Sequence, residues 1–285
     1  MTWNIVCDSS ADLTAQGGKN DGPIRFTSVP LRLLVGEREF VDDERLSVPQ
    51  LLEAMREEKS ASSTACPSPA AFAQAFSTAD CSICFTISAN LSGTWAAAMA
   101  GRDLALEEHP EKKICVIDSK SAAGCMVLLA RRAKTLIAGA EKPNFEKICA
   151  ELRIYQAALR TVFTLENFDK IDNLIKNGRM RPLVGNLLHS LGIHVIADAT
   201  PQGTIHVADK ARGETKTYQA ITRQMAASKD CTGAEAIITH CQNLPGAVKL
   251  KEQILRDLPV KSVEIMSCRG LTSFYAMEKG LILGY

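Results

Sequence analysis

The sequence contains little that is typical of a membrane, secreted or nucleic-acid-binding protein. The N-terminal segment MTWNIVCDSSADL has neither a basic region nor a long apolar core. No apolar run approaches the roughly 18 residues that a membrane helix needs. The 33 Lys and Arg nearly balance the 32 Asp and Glu, whereas phosphate binding favours a basic surplus. We therefore predict a cytoplasmic protein with no stable membrane insertion and no nucleic-acid partner.

Sequence motifs for nucleotides, metals and covalent catalysis are also missing. The chain has no G-x-x-x-x-G-K-[ST] and no G-x-G-x-x-G sequence. Its 5 histidines form no H-x-x-x-H pair and no cluster with carboxylates. His240 follows a predicted strand beside Cys241, but a catalytic pair would need a third, orienting group that the spacing does not supply. We predict no metal, no cofactor and no catalytic residue, and keep His240 as a candidate contact with a pocket or a partner.

The 10 cysteines are scattered through apolar segments, which favours free buried thiols over a disulfide framework. Cys81 and Cys84 form a C-x-x-C spacing that could indicate redox or metal chemistry. They fall within a predicted strand, residues 80–87, where side chains three positions apart point to opposite faces. We therefore interpret both as core thiols.

Short β-branched runs alternate with segments of helical periodicity, which predicts an α/β fold. The length of 285 residues favours two domains. We expect residues 1–155 to form a three-layer α/β/α domain with a mostly parallel sheet, and residues 156–285 a second α/β domain. Pro201, Gln202 and Gly203 predict a tight turn between antiparallel strands, so the second sheet should be mixed. Residues 24–41 should be extended with a hairpin turn at Gly36, and residues 59–68 should form a polar loop.

The segment from Ser88 to Thr94 leaves a predicted strand and enters a predicted helix. Asn90, Ser92 and Gly93 lie within it. Hydroxyls and free backbone N–H groups at a helix N-terminus attract anions, so an anion site is one interpretation. The other is that Ser92 only caps the helix.

Two further segments carry polar side chains that could line the same edge, and a third exposes an arginine. Asp8 and Ser9 follow the first predicted strand, and Asp118 and Ser119 follow a later one. These residue types are also common helix caps and turn formers. Arg179 follows Gly178 at a predicted helix end, where it could meet an anion or only water.

Taken in order, several motifs resemble those of the DegV family of bacterial proteins. The segments that carry the resemblance are Ile5–Leu13, Val29–Arg32, Thr64–Ser68, Ile87–Thr94, Val116–Ser119 and Gly178–Arg179. The resemblance implies two α/β domains and a buried long-chain fatty acid. It also implies that the carboxylate is bound by Thr64 and by the leucine-serine-glycine-threonine motif that contains Ser92, Gly93 and Thr94.

The resemblance further implies a carrier, and not an enzyme, that presents the bound carboxylate to a separate fatty-acid kinase for acyl phosphate formation in lipid synthesis. Two departures affect this expectation. Residues Thr64–Ser68 read TACPS, where family members commonly have TSQPS, and a frequent histidine motif is replaced by Ser267–Leu271. Two alternatives stay open: a lipid sensor or storage protein without a kinase, and an enzyme on a small carbonyl or acyl substrate related to dihydroxyacetone kinases. The enzyme would need a histidine for covalent substrate capture, and none of the 5 is identifiable as such.

Overall fold

The computed structural model describes residues 1–14, 22–58, 62–166, 171–179 and 192–285. The strands are β1 Trp3–Asp8, β2 Ile24–Val29, β3 Arg32–Val35, β4 Arg38–Val41, β5 Ser63–Ala65, β6 Cys81–Thr86, β7 Lys113–Asp118, β8 Thr161–Glu166, β9 Ile193–Ala199, β10 Ile205–Arg212, β11 Glu235–His240, β12 Ser262–Ser267 and β13 Leu281–Gly284. The helices are α1 Val48–Glu57, α2 Pro69–Phe76, α3 Thr94–Glu108, α4 Gly124–Ala138, α5 Phe145–Ala158, α6 Ile171–Lys176, α7 Glu214–Ser228, α8 Leu244–Asp257 and α9 Gly270–Ala276. Their alternation confirms the predicted α/β class.

The first sheet has four parallel strands in the order β2-β1-β6-β7. All residues of β1 and β6 are buried, as expected for a parallel sheet that is covered on both faces. Ile5 shares a hydrophobic cluster with Leu129 of α4 on one face. Val6 shares another with Phe72 of α2 on the opposite face. The predicted three-layer arrangement is confirmed.

The cysteines follow the same two-sided pattern. Cys81 belongs to the cluster on the α4 side and Cys84 to the cluster on the α2 side, so the two thiols lie on opposite faces, as predicted. All ten cysteines are free. Cys66 is exposed and departs from the expectation of buried thiols.

The second sheet has six strands in the order β10-β9-β8-β13-β11-β12. β11 and β12 are parallel, and the other neighbouring strands are antiparallel. The N–H of Gly203 donates to the carbonyl of Thr200 over 2.8 Å, and Gly203 has a φ of +81°. The predicted tight turn and the mixed sheet are both confirmed.

A small third sheet, with the order β4-β3-β5, corrects one prediction. The predicted hairpin turn at Gly36 is present, with a φ of +60°. However, residues 63–65 of the predicted polar loop form β5, in which Thr64 pairs with Leu33 of β3. Residues 59–61 of that loop lie outside the described residues. Helix α9 and strand β13 were also missing from the predictions.

Helix α4 packs against both larger sheets. Its Leu129 belongs to the core of the first sheet, and its Leu128 shares a cluster with Ile237 of β11. A Cβ on Gly124 would lie 2.7 Å from the carbonyl oxygen of Ile237 and 3.0 Å from the nitrogen of Gly284, so only glycine permits this approach. The predicted domain boundary near residue 155 lies within α5, and the division into two domains stays a prediction.

Candidate functional site

A largely apolar cavity is lined by residues from both halves of the chain. Its empty volume, counted together with the open solvent at its mouth, is about 860 Å³. The apolar lining residues are Leu31, Ile87, Leu91, Ala122, Phe163, Leu165, Leu174, Ala199, Ile205, Leu271, Ala276 and Ile282. Such a lining favours a long apolar ligand over a small polar one.

Three half-buried hydroxyl side chains line the same cavity: Thr64 of β5, Ser92 before α3, and Tyr275 of α9. The Oγ1 of Thr64 lies 3.1 Å from the phenol oxygen of Tyr275. The Oγ of Ser92 lies 2.8 Å from the Oγ1 of Thr94. The cavity therefore combines an apolar surface with hydroxyl groups that can donate hydrogen bonds to an anion.

The loop before α3 places Ser92 beside β5. The Sγ of Cys66 lies 3.5 Å from the position that a Cβ on Gly93 would occupy, so the end of β5 and this loop are neighbours. Thr94 is buried, and its backbone N–H donates to the Oγ of Ser92 over 3.3 Å. Gly93 and Thr94 are not among the described residues that line the cavity. Their geometry positions Ser92, and their own contact with a carboxylate stays a prediction.

Arg179 also lines the cavity and is half-buried. It follows α6, and Gly178 has the φ of +70° that suits the predicted glycine at a helix end. The Nη1 of Arg179 donates to the carbonyl of Asn177, whose side-chain amide donates to the carbonyl of Ser62 over 3.1 Å. The turn that carries Arg179 is therefore attached to the chain just before β5.

Asp8 and Ser9, which the sequence left as either caps or pocket residues, make structural contacts. The Oδ2 of Asp8 accepts a hydrogen bond from the N–H of Ile87 over 2.6 Å, which joins the ends of β1 and β6. Burial raises the pKa of Asp8 to about 6. The Oγ of Ser9 accepts from the N–H of Leu31 over 3.0 Å. Neither is among the described residues that line the cavity.

Asn90, Asp118 and Ser119 hold loops together around the cavity. The amide of Asn90 donates to the carbonyl of Gln202 over 2.6 Å. The Oδ1 of Asp118 accepts from the N–H of Ala89 over 3.1 Å. The Ser119 hydroxyl bonds within its own loop. None of these three residues is among the described residues that line the cavity. Their hydrogen bonds therefore support a role in positioning the loops around it.

His240 is 8% exposed at the end of β11. Its Nδ1 accepts a hydrogen bond from the N–H of Asn243 over 3.1 Å, and burial lowers its pKa. The described part of the cavity lining does not include it. This hydrogen bond ties the His240 side chain to the turn between β11 and α8, so His240 has a structural role there.

Two buried aspartate side chains fix the start of α9. The Oδ1 and Oδ2 of Asp42 accept from the N–H groups of Gly270 and Leu271, each over 2.8 Å. The Oδ1 of Asp12 accepts from the N–H of Arg269 over 2.7 Å and from the hydroxyl of Thr272. This anchored start sets the position of the helix that carries Tyr275.

The ionisation of Asp12 should make the stability of the folded state depend on pH. Burial raises the pKa of Asp12 from an ordinary 3.8 to about 8, although hydrogen bonds from Thr272 and Arg269 lower it. The Oδ2 of Asp12 has no hydrogen-bond partner among the described residues. Between these two pH values the unfolded chain has released a proton that the folded chain still holds. We therefore expect the free energy of unfolding to fall as the pH rises through this interval, as linkage requires.

The variant Asp12→Asn should flatten that part of the pH profile, because an amide cannot ionise. Burial raises the pKa values of Asp8 and Asp42 as well, so a residual slope of the same sign should persist. Urea unfolding between about pH 4 and pH 8 measures the effect. Asp209→Asn, at an exposed carboxylate on β10, is the matched control. An Asp12→Asn profile parallel to that of the unmodified protein would contradict the neutral-carboxyl assignment.

Sequence reasoning missed Tyr275 and Lys120, both of which line the cavity. Tyr275 belongs to the short helix α9, for which no apolar periodicity gave a signal. Lys120 follows Asp118 and Ser119 in a loop that the sequence did identify as a candidate. It has a φ of +53° and is exposed, so it adds a cation at the rim of the cavity.

No helix in the described part of the chain combines the length and apolarity needed to span a membrane. Within the same ranges, no three His, Cys, Asp or Glu side chains form a group that could hold a metal ion.

Comparison with known proteins was made at the level of sequence and of structure. A family model described as "Uncharacterised protein, DegV family" matches residues 2–279. A DegV domain-containing protein of Streptococcus pyogenes serotype M1 is 36% identical over 285 residues, covering 100% of this chain and 99% of the relative.

Two solved structures are similar over nearly the whole chain. The Streptococcus pneumoniae fatty acid kinase (Fak) B3 protein, loaded with linoleic acid, is 35% identical with a TM-score of 0.92, and covers 100% of this chain and 99% of its own. A protein from Eubacterium eligens, loaded with heptadecanoic acid, is 32% identical with a TM-score of 0.91, and covers 99% of each chain.

Proposed function

Because this chain belongs to the DegV family, we propose that it binds a long-chain fatty acid in the cavity and presents the carboxylate at Thr64 and Ser92. The observation that carries the proposal is the combination of an extended apolar lining with a few hydroxyl donors. The similar proteins from Streptococcus pneumoniae and Eubacterium eligens, which hold linoleic and heptadecanoic acid, support it. The predicted cytoplasmic location stays a prediction.

The acyl tail and the carboxylate of a bound fatty acid should contribute differently to the free energy of binding. Burial of about 15 methylenes at about 0.8 kcal/mol each supplies on the order of 12 kcal/mol before the costs of binding. A hydrogen bond to a charged carboxylate adds about 1.5–3 kcal/mol. The apolar lining therefore sets the affinity, whereas Thr64 and Ser92 set the position of the carboxylate.

A site that binds the tail tightly and positions the carboxylate suits a carrier subunit of a fatty-acid kinase better than an enzyme. The sequence contains neither of the glycine motifs that bind nucleotide phosphates, which favours a separate kinase as the protein that binds the phosphoryl donor. The name of the Streptococcus pneumoniae protein, which refers to a fatty acid kinase, supports this partner. The expected product is the acyl phosphate of the bound fatty acid.

Mass spectrometry of lipids extracted from the purified protein tests the proposal. We expect an acyl chain of about 14–18 carbons, as the family motifs and the apolar lining suggest. Ala199→Phe places a ring in the apolar lining and should reduce loading at least tenfold. Ala157→Phe, at an exposed position of α5, is the control and should load normally. A protein that is isolated empty and takes up neither oleate nor palmitate would refute fatty-acid binding.

A further inference from the structure

The phenol of Tyr275 is held more rigidly than a surface tyrosine would be. Its ring packs against two hydrophobic clusters, one that contains Leu271 and Phe274 and another that contains Leu165 and Leu174. The ring of Phe274 meets it edge-on, with centroids 5.0 Å apart and an interplanar angle of 79°. Because apolar side chains of both clusters pack against the half-buried ring, they restrict where its hydroxyl can lie at the cavity wall.

The helix beneath this ring is itself fixed. Asp42 accepts hydrogen bonds from the N–H groups of Gly270 and Leu271, so the first turn of α9 is tied to the segment after β4. Tyr275 follows only one turn later on this short helix. Binding a ligand through Tyr275 therefore requires little ordering of the backbone or of the side chain, which preserves affinity.

The hydroxyl of Tyr275 meets that of Thr64 inside the cavity, with the two oxygens 3.1 Å apart. The two groups have two protons between them, and their mutual hydrogen bond uses only one. A carboxylate is an acceptor with about four lone-pair sites and no proton of its own. Both hydroxyls can donate to one bound carboxylate when they give up the hydrogen bond between them, and a phenol is a stronger hydrogen-bond donor than an aliphatic hydroxyl.

We propose that Tyr275 is a carboxylate-binding residue that acts with Thr64 and makes the cavity selective for free fatty acids over their esters. This inference rests on the proposed function. In this inference the phenol donates a hydrogen bond to the carboxylate. An ester has no anionic charge and accepts such a hydrogen bond more weakly. The aromatic ring itself serves the apolar wall.

Tyr275→Phe tests the inference, because it keeps the ring and removes only the hydroxyl. Affinities for oleate and for methyl oleate are measured by displacement of a fluorescent fatty acid. We expect the affinity for oleate to fall about tenfold, as the loss of one hydrogen bond to a charged group predicts. The affinity for methyl oleate should stay within about twofold. Tyr155→Phe, on α5 and outside the described cavity lining, should change neither value.

The outcomes separate the inference from the function on which it rests. If Tyr275→Phe binds oleate as the unmodified protein does, or if it loses oleate and methyl oleate equally, the carboxylate role of the phenol is refuted. If the unmodified protein binds neither ligand, the proposed function fails. A thermal melt of each variant establishes that folding is retained, and a repeat in the Thr64→Val background should show a smaller effect of Tyr275→Phe if the two hydroxyls share one carboxylate.

Discussion

The double variant Thr64→Ala/Ser92→Ala is expected to form acyl phosphate with a cognate fatty-acid kinase at least about 100-fold more slowly than the unmodified protein. Both hydroxyls line the cavity and neither belongs to a hydrophobic cluster, so the fold should persist. The apolar lining should still take up fatty acid. The loss arises because a carboxylate displaced by about 1 Å reacts on the order of 100-fold more slowly.

The control for this variant is Thr232→Ala/Ser262→Ala, which removes the same two hydroxyl types at exposed positions. Turnover is followed as acyl phosphate formed at saturating fatty acid. Circular dichroism and lipid extraction show whether each protein is folded and loaded. An unfolded double variant, or one with unchanged turnover, would mean that these residues were misassigned.

Arg179→Ala is expected to reduce phosphorylation of the bound fatty acid at least tenfold while the affinity for the fatty acid stays within about twofold. The side chain is half-buried at the cavity, on a turn attached to the chain before β5. A guanidinium there can reach a phosphate or an acidic surface of the kinase with two parallel hydrogen bonds. Because such a charge acts mainly on association, added salt should mimic the defect.

The alternative is that Arg179 neutralises the carboxylate directly. In that case the affinity of Arg179→Ala for fatty acid, measured without kinase, would fall tenfold or more, since about 1.4 kcal/mol suffices for that factor. Arg179→Lys separates charge from geometry, because lysine keeps the charge and loses the planar fork. Arg223→Ala, at an exposed position of α7, is the matched control for a lost surface charge.

The parts of the fold with strong local patterns could be predicted from the sequence. Strand β6, Cys81–Thr86, lies within the predicted strand of residues 80–87, and helix α3, Thr94–Glu108, begins where the segment from Ser88 to Thr94 was predicted to enter a helix. In β6 the reason is a mostly apolar run of strand-forming residues, and in α3 it is the clear transition from a polar loop into a long helical segment. The same pattern also placed Ser92 at the start of this helix.

The missing parts depend on distant residues. Helix α9 begins where Asp42 accepts from the N–H of Gly270, a contact across 228 positions of sequence. Strand β13 is only 4 residues long and is stabilised by pairing with β8 and β11 on either side. β5 is shorter still and pairs with β3. Tyr275 could not be recognised as a site residue because its helix could not be recognised.

Helix α4 links the folding of the two larger sheets. Leu129 is buried with the first sheet, and the close approach of Gly124 to Ile237 fixes the same helix to the second. Opening either sheet would expose one side of α4, so amide protons in both cores should exchange with solvent through one shared unfolding event. We expect the cavity walls, to which both halves of the chain contribute, to belong to the same cooperative unit. If the proposed fatty acid binds there, it should raise the stability of both sheets together.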